Sequence, residues 1–504
     1  MKLLMNYSKQ LPIENEHREY KQNTKGLTKD LWETISAFEN TDGGTIILGV
    51  TEIEKNSKFG ITGVTDPQNT LDIFWSSIDD IISYKTIQND DVKIVKINEA
   101  TVIEIHVDSA PDNKKPVYSH GKIFVRQGAT DCKANREQQA TLIRQSSDDL
   151  DTKVLKNYTI EDLNMADVQK YKTLLENKEH YKRYKETDIQ QFLIKIGVIS
   201  KNYEGDGKLG ITVGGLLFFG ENIAILHAFP NFQLDYFDKT NPNEQRWSKR
   251  ISSIEENLNI FSFFEKVTQT ITKTISNPFK LDKDLRRVDT GGDMKVALRE
   301  ALINMLMHAD YYGNTPIKVE ENINFYNFIN PGKMKIPSQD FFTTNNTKTR
   351  NPIISKLFVQ MGDGERAGQG GEKIYEAAVT SDLRVPEINT DINKTDLRIW
   401  KVAYLNSFEG ENIDKNAQLI LKSILMAGGS PRSHKEIEKD TKLSRALVTN
   451  SLNTLLSKEI LVKYGNARST RYGIPSSSEQ LMAQLQIIPS LIRKAYLASK
   501  NAPQ

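Results

Sequence analysis

A Gly43-Gly44 pair forces an abrupt change of direction in the N-terminal part of the chain. Before it, Leu27, Leu31, Trp32, Ile35 and Phe38 recur at helical spacing, which predicts an amphipathic helix from Leu27 to Asn40. After it, Thr45 to Thr51 reads as a buried strand. The connecting Asn40-Thr41-Asp42-Gly43-Gly44 needs a tight exit that Cβ-bearing residues resist. Upstream, Glu14 and Glu19 lie five residues apart and are followed by Tyr20-Lys21. Downstream, Leu71 to Ser83 is amphipathic, and Val92 to Ile97 and Val102 to Val107 alternate as strands. Pro111 to Gly121 is a polar loop carrying Lys114-Lys115-Pro116. A strand from Lys122 to Gly128 and a helix from Arg136 to Gln145 close an α+β unit spanning residues 1–147.

Paired carboxylates near the start of such a unit have a definite chemistry. Two or three of them can hold Mg²⁺ or Mn²⁺ beside a phosphodiester. The ion activates water and neutralises charge on phosphorus. Lys21 is placed to stabilise the same oxyanion. Residues 14 and 19 are an odd number apart, so on one regular strand they face opposite sides. A shared site therefore requires a turn or bulge between them. In the alternative, Glu19 and Lys21 pair across the strand surface and hold a basic groove in shape.

The stretches Glu14-x4-Glu19-Tyr20-Lys21, Ala37-Phe38-Glu39-Asn40-Thr41-Asp42-Gly43-Gly44, Gly49-Val50-Thr51-Glu52, and Lys115-Pro116-Val117-Tyr118 followed by Val125-Arg126-Gln127-Gly128 resemble, in this order, the Schlafen AlbA-2 domain. The resemblance implies contact with RNA or DNA, with Lys114, Lys115 and Arg126 as candidate contacts. In eukaryotic Schlafens three acids support metal-dependent RNA cleavage. Two of these positions fall on Glu14 and Glu19. The third, usually Asp, falls on Thr51-Glu52-Ile53-Glu54, so Glu52 or Glu54 must replace it. The implied catalytic set is Glu14, Glu19, Lys21 and Glu52, with Glu14 and Glu19 as metal ligands. Eukaryotic Schlafens surround their substrate with two AlbA-type lobes. One such lobe here implies a homo-oligomer.

Residues 148–285 read as a helical linker and a connecting α+β region. Its Tyr171-Lys172 and Tyr184-Lys185 pairs are read as a wet helix face. A second constellation follows. Glu300 and Asn304 share a face of a helix whose Leu298, Ala301, Leu302, Met305 and Leu306 form an apolar stripe. A strand then ends in Asn330-Pro331-Gly332, Arg350-Asn351-Pro352 comes next, and a glycine-rich turn from Gly362 to Gly371 opens a helix. Free amides at such a helix start suit phosphate. Together these resemble the ATPase-like domain found behind AlbA-2 in bacterial proteins labelled RecG-related, itself similar to the GHKL ATPases. The resemblance implies an ATP-binding α/β sandwich at 286–408. Its candidate nucleotide contacts are Glu300, Asn304, His308, Asn330, Gly332, Arg366, Gly368, Gly370 and Gly371, with Asn304 also on the metal. Asn330 replaces the Asp that reads adenine in true GHKL enzymes, and Ala309 stands where the family usually has Arg. No Walker A or helicase motif set occurs, so a helicase is not expected.

After a linker at 409–412, three helical segments (Ala417 to Met426, one from Ser433, and Arg445 to Glu459) precede two strands within Ile460 to Ile474. This pattern looks like a winged helix-turn-helix at 414–475. Arg445 and Asn450 lie on the outward face of the third helix, where groove contacts arise. Lys463, Arg468 and Arg471 are placed for phosphates. Residues 476–504 form a polar tail with one expected helix.

With a net charge of +2, any nucleic-acid surface must be a local patch. A single cysteine, Cys132, excludes an intrachain disulfide framework and a cysteine zinc cluster. No run of about 20 apolar residues is available to span a bilayer. A soluble, cytoplasmic α+β multidomain protein acting on nucleic acid is expected, with ATP and Mg²⁺ or Mn²⁺ as cofactors. A nuclease gated by nucleotide, in a bacterial antiviral role, is one expectation from the resemblance, with at most weak ATPase activity. The competing expectation is an ATP-responsive, non-enzymatic DNA-binding regulator.

Overall fold

The computed structural model describes residues 11–23, 26–54, 58–97, 99–147, 150–241, 246–275, 279–281, 287–289, 291–343, 348–362, 370–381, 383–403, 413–426, 431–464 and 470–475. Arg366, Gly368 and Arg468, the 409–412 linker and the tail helix all lie outside them. The protein is α+β throughout and divides into two compact units, the first made by residues 1–148 with a three-residue piece at 391–393, the second by the rest.

The first unit is built on a four-stranded sheet. Its strands run in the order Arg18–Lys21, Gly44–Leu48, Ala100–Val107, Val92–Ile97, the first pair parallel and the others antiparallel. The helix Lys29–Asn40 buries Leu31, Trp32, Ile35 and Phe38 in one core with Ile46, Leu48, Ile103 and Ile105. The Gly-Gly pair is required for two different reasons. Gly43 has φ +73°, and a Cβ there would lie 2.6 Å from the Val107 carbonyl oxygen. A Cβ on Gly44 would meet the Phe38 ring at 2.6 Å. Asn40 ends the helix by stapling it to the next layer. Its Nδ2 donates to the carbonyls of Val117 (2.8 Å) and Phe124 (2.9 Å), and its Oδ1 accepts from the Val117 amide (2.7 Å). This buried amide is therefore fully engaged, as a polar group removed from water must be.

In the second unit a six-stranded sheet runs in the order Lys249–Ser252, Leu234–Asp238, Ile317–Glu321, Phe325–Pro331, Lys394–Trp400, Glu387–Thr390. Only Leu234–Asp238 and Ile317–Glu321 pair in parallel. The long helix Gly291–His308 shares one hydrophobic core with the sheet and with helices Met165–Glu176, Ile189–Ile196, Val213–Phe219 and Ile260–Thr274. Residues on both sides of 285/286, the boundary expected from the sequence, share this sheet and this core. Two polar ties reinforce it. Asp151, 1% exposed, accepts the amides of Ile353 (2.9 Å) and Ile354 (3.0 Å) at the start of helix Pro352–Met361. The Tyr171 hydroxyl donates to the Leu357 carbonyl at 2.9 Å in the same helix.

The C-terminal part has helices Lys415–Met426, His434–Thr441 and Arg445–Ser457 around a core of Ile420, Ile424, Ile437, Val448, Leu452 and Leu455. Ser433 and Glu436 form a capping box on the second helix, and Ser444 caps the third. Strands Arg432–Ser433, Arg471–Gly473 and Val462–Tyr464 make a small antiparallel sheet. No described helix is long and apolar enough to cross a membrane.

Candidate functional site

The acidic constellation is assembled by the turn that the odd spacing demanded. Asn15 bridges to Arg18, and the chain reverses so that Glu14 Oε1 accepts the Tyr20 amide at 2.9 Å. Burial pushes the Glu14 carboxyl above its usual range, offset by that amide and reinforced by the Glu19 charge. Glu19, 8% exposed, is held on both oxygens. Arg126 Nη2 lies 2.7 Å from Oε2, and Lys21 Nζ lies 2.8 Å from Oε1. Arg126 Nη1 meets Asp131 at 2.7 Å, and Lys21 also meets Asp30 at 3.1 Å. The Arg126 guanidinium further donates to the carbonyls of Asn15 and Arg18 and lies over the Phe38 ring.

This geometry does not suit a metal triad. Each Glu19 oxygen already faces a cation, so a metal ion there would meet Lys21 and Arg126 at close range. Glu52 is exposed on the separate hairpin Val50–Glu54 and Lys58–Ile61, opposite Phe59. Among the described residues no group of three or more His, Cys, Asp or Glu side chains is arranged to hold a metal, and the Glu54 side chain lies outside them. Two of the three expected basic contacts are engaged within the protein. Arg126 is buried and spent on Glu19 and Asp131. Lys115 is buried, with Nζ donating to Ser109 Oγ at 2.9 Å. Lys114 remains exposed, over the Tyr84 ring. Lysine and arginine in a loop pattern look alike whether they face solvent or a buried acid.

A second site lies in the larger unit, in a cavity against the six-stranded sheet. Asn304, His308, Asn330, Gly370 and Gly371 all line it, so five positions chosen from sequence converge. Phe328, Leu397, Ile388, Ile336 and Met305 supply an apolar floor. The start of helix Gly370–Thr380 abuts the Glu-x3-Asn face. A Cβ on Gly370 would sit 2.7 Å from Asn304 Nδ2 and 3.1 Å from Glu300 Oε2, and one on Gly371 would overlap the Phe341 carbonyl. Glu300 is buried beside Asn304 and outside the lining. Lys333, Lys335 and Lys348, which sequence reasoning missed, line the same cavity with Arg350 of the Arg350-Asn351-Pro352 motif. The pair flanking Met334, directly after Asn-Pro-Gly, was a usable signal. Burial, then Arg350, then Lys335 lower the His308 imidazole to about 4, so it is neutral at pH 7.

Arg350-Asn351-Pro352 is the buttress of this cavity. Asn351 Nδ2 donates to the carbonyls of Met307 and Ala309, both at 2.9 Å, closing the end of the long helix. Arg350 Nη2 donates to the Lys333 carbonyl at 2.6 Å and runs under Gly332. Gly332 has φ +92°, and a Cβ there would overlap the Arg350 guanidinium. Gly332→Ala is therefore expected to cost about 2 kcal/mol. Hydrogen exchange of strand Phe325–Pro331 should accelerate accordingly. Unchanged exchange there would show that Arg350 moves aside freely.

In the C-terminal part, Arg445 and Asn450 are exposed on helix Arg445–Ser457, and Lys463 is exposed on its strand. Arg471 Nη1 is 3.1 Å from Glu436, so its charge is partly compensated.

Comparison with known proteins gives these sites a family setting. Residues 14–135 match the family model described as "Schlafen, AlbA_2". Residues 316–399 match the model described as "Putative ATP-dependent DNA helicase recG C-terminal". The chain carries a Schlafen AlbA_2 domain and a RecG C-terminal-like, ATPase-type domain, a pairing that points to nucleic-acid-related function. Residues 139–235 match a "Domain of unknown function (DUF8451)". No curated protein matches the chain. Among solved structures, the DIP2311 protein from Corynebacterium diphtheriae is 16% identical over 91% of this chain and 95% of its own, with a TM-score of 0.38.

Proposed function

We propose that this protein is a nucleotide-responsive nucleic-acid-binding protein whose AlbA_2 domain holds its target without cutting it. The observation that carries the reading is Glu19, whose two oxygens are taken by Arg126 and Lys21. Those contacts favour the role of a clamp that shapes a surface over that of a metal ligand. In the larger unit, the sheet with its long helix, and the cavity gathering Asn304, Asn330 and Gly370, support a GHKL-like nucleotide site. Three helices followed by an antiparallel strand pair support a winged helix-turn-helix, with Arg445 and Asn450 as duplex contacts. Nucleotide in the cavity would bias which conformation of the chain meets nucleic acid.

The decisive experiment incubates the full chain with tRNA, single-stranded RNA and plasmid in Mn²⁺ and in EDTA, and scores binding and integrity together. Bound and intact nucleic acid in both buffers is expected. Mn²⁺-dependent products that disappear in Glu14→Gln would restore the nuclease reading. In parallel, Arg445→Ala should weaken duplex binding and reduce the salt slope by about one.

A further inference from the structure

We propose that helix Arg445–Ser457 reads A·T base pairs of duplex DNA in the major groove, with Asn450 and Asn453 on adenines and Leu447 on a thymine methyl. This rests on the winged helix-turn-helix reading given above and names the sequence class that its third helix selects.

Leu447, Asn450 and Asn453 are all exposed and follow one another at intervals of three, so they form one row on the helix surface. The row spans about 9 Å of helix axis, comparable to two or three base-pair steps of about 3.4 Å. Among the described residues neither asparagine side chain has a hydrogen-bond partner, so both amides keep a donor and an acceptor for a base edge. That pair of groups matches adenine N7 and N6. The helix carries no Asp or Glu to accept from cytosine N4, and Leu447 fits a thymine methyl. Charge around the helix favours a polyanion. On helix His434–Thr441 all three acids are engaged internally, Glu436 with Arg471 (3.1 Å), Glu438 with His434 (2.6 Å) and Asp440 with Arg432 (3.5 Å). Lys435, Lys439, Lys442, Arg445 and Lys463 are exposed, and among the described residues none of them has an ion pair. His434 also reaches Thr449 through Nε2 at 3.0 Å, which fixes the reading helix against its neighbour before any target arrives. Neither helix carries Phe, Tyr or Trp on which unpaired bases would stack, and the major groove of an RNA duplex is too deep and narrow for side chains to read. Duplex DNA is the target that remains.

Sequencing of the DNA duplexes that the full chain retains from a randomised pool, with excess tRNA to occupy the AlbA_2 domain, tests this. Two adenines and a thymine should recur within about four adjacent base pairs. Asn450→Ala and Asn453→Ala should each erase the preference at one adenine and weaken the selected duplex about five- to a hundredfold, leaving a G·C-only duplex nearly unchanged. Replacing either adenine with 7-deazaadenine, which lacks N7, should cost the parent about five- to tenfold and the matching variant almost nothing. Both asparagines are exposed, so their variants are not expected to disturb folding. Selection of no base, or of guanine or cytosine in place of adenine, would overturn the inference and leave the duplex reading standing. Adenines that both variants still select would overturn it too. Absence of binding to any duplex would remove the winged helix-turn-helix reading itself, and the inference with it.

Discussion

Replacing Arg126 with alanine is expected to destabilise the AlbA_2 domain by about 3–5 kcal/mol. The loss of one side chain takes a cation from buried Glu19 and from half-buried Asp131. Glu19 keeps only Lys21, and Asp131 loses its 2.7 Å contact. The guanidinium also satisfies the carbonyls of Asn15 and Arg18, which shape the turn that delivers Glu14. Native-state hydrogen exchange in strands Arg18–Lys21 and Gly44–Leu48 should accelerate by about a hundred- to several thousandfold. A triple variant, Arg126→Met with Glu19→Gln and Asp131→Asn, should recover much of that loss, because the acids are then neutral. If Arg126→Ala leaves exchange in both strands untouched and instead weakens RNA binding, Arg126 belongs to the nucleic-acid surface after all.

Glu39→Gln is expected to stabilise the same domain by about 3 kcal/mol at pH 8 and to change it little near pH 4. Glu39 is fully buried. Its Oε1 accepts from the Thr86 amide (2.7 Å) and hydroxyl (3.0 Å), whereas its Oε2 has no partner. Burial raises the carboxyl to about 7, and the Thr86 hydrogen bonds and Lys115 offset only part of this. A carboxyl raised in the folded state favours folding while it is protonated. That contribution is present in full below the unfolded value near 4.5 and is lost as pH rises through about 7. The parent should therefore lose stability across this window, and the glutamine variant should not. Protection factors for helix Lys29–Asn40, corrected for intrinsic exchange, provide the measurement. Parallel pH dependence in both proteins would mean that another group is titrating.

Local features were legible in the sequence because their causes are local. The Gly43-Gly44 turn, the capping box at Ser433 and Glu436, and the helix bearing Glu300 and Asn304 each follow from a few adjacent residues. A site shared by Glu14 and Glu19 would need a turn between them, and the Asn15–Arg18 bridge forms one. What failed depended on distant partners. Nothing around Arg126 indicates that Glu19, 107 positions away, will claim it. Asn40 lies between Ala37 and Gly44 in the helix-to-strand motif, yet its role as a staple depends on Val117 and Phe124. Lys333 and Lys335 become cavity cations only once Arg350 and Lys348 are brought beside them. The 285/286 boundary followed from a change of local pattern, whereas the sheet crosses it by a parallel pairing that periodicity cannot reveal.

That parallel pairing also determines how the chain can be divided. A fragment beginning at residue 286 would carry strand Ile317–Glu321 with its Leu234–Asp238 neighbour missing, exposing a row of backbone donors and acceptors to other copies. It would also lack Asp151, which caps helix Pro352–Met361. The cavity of the larger unit and most of the segment matched as a domain of unknown function therefore depend on one core. A fragment beginning near residue 149 would keep Asp151 and the whole of that core.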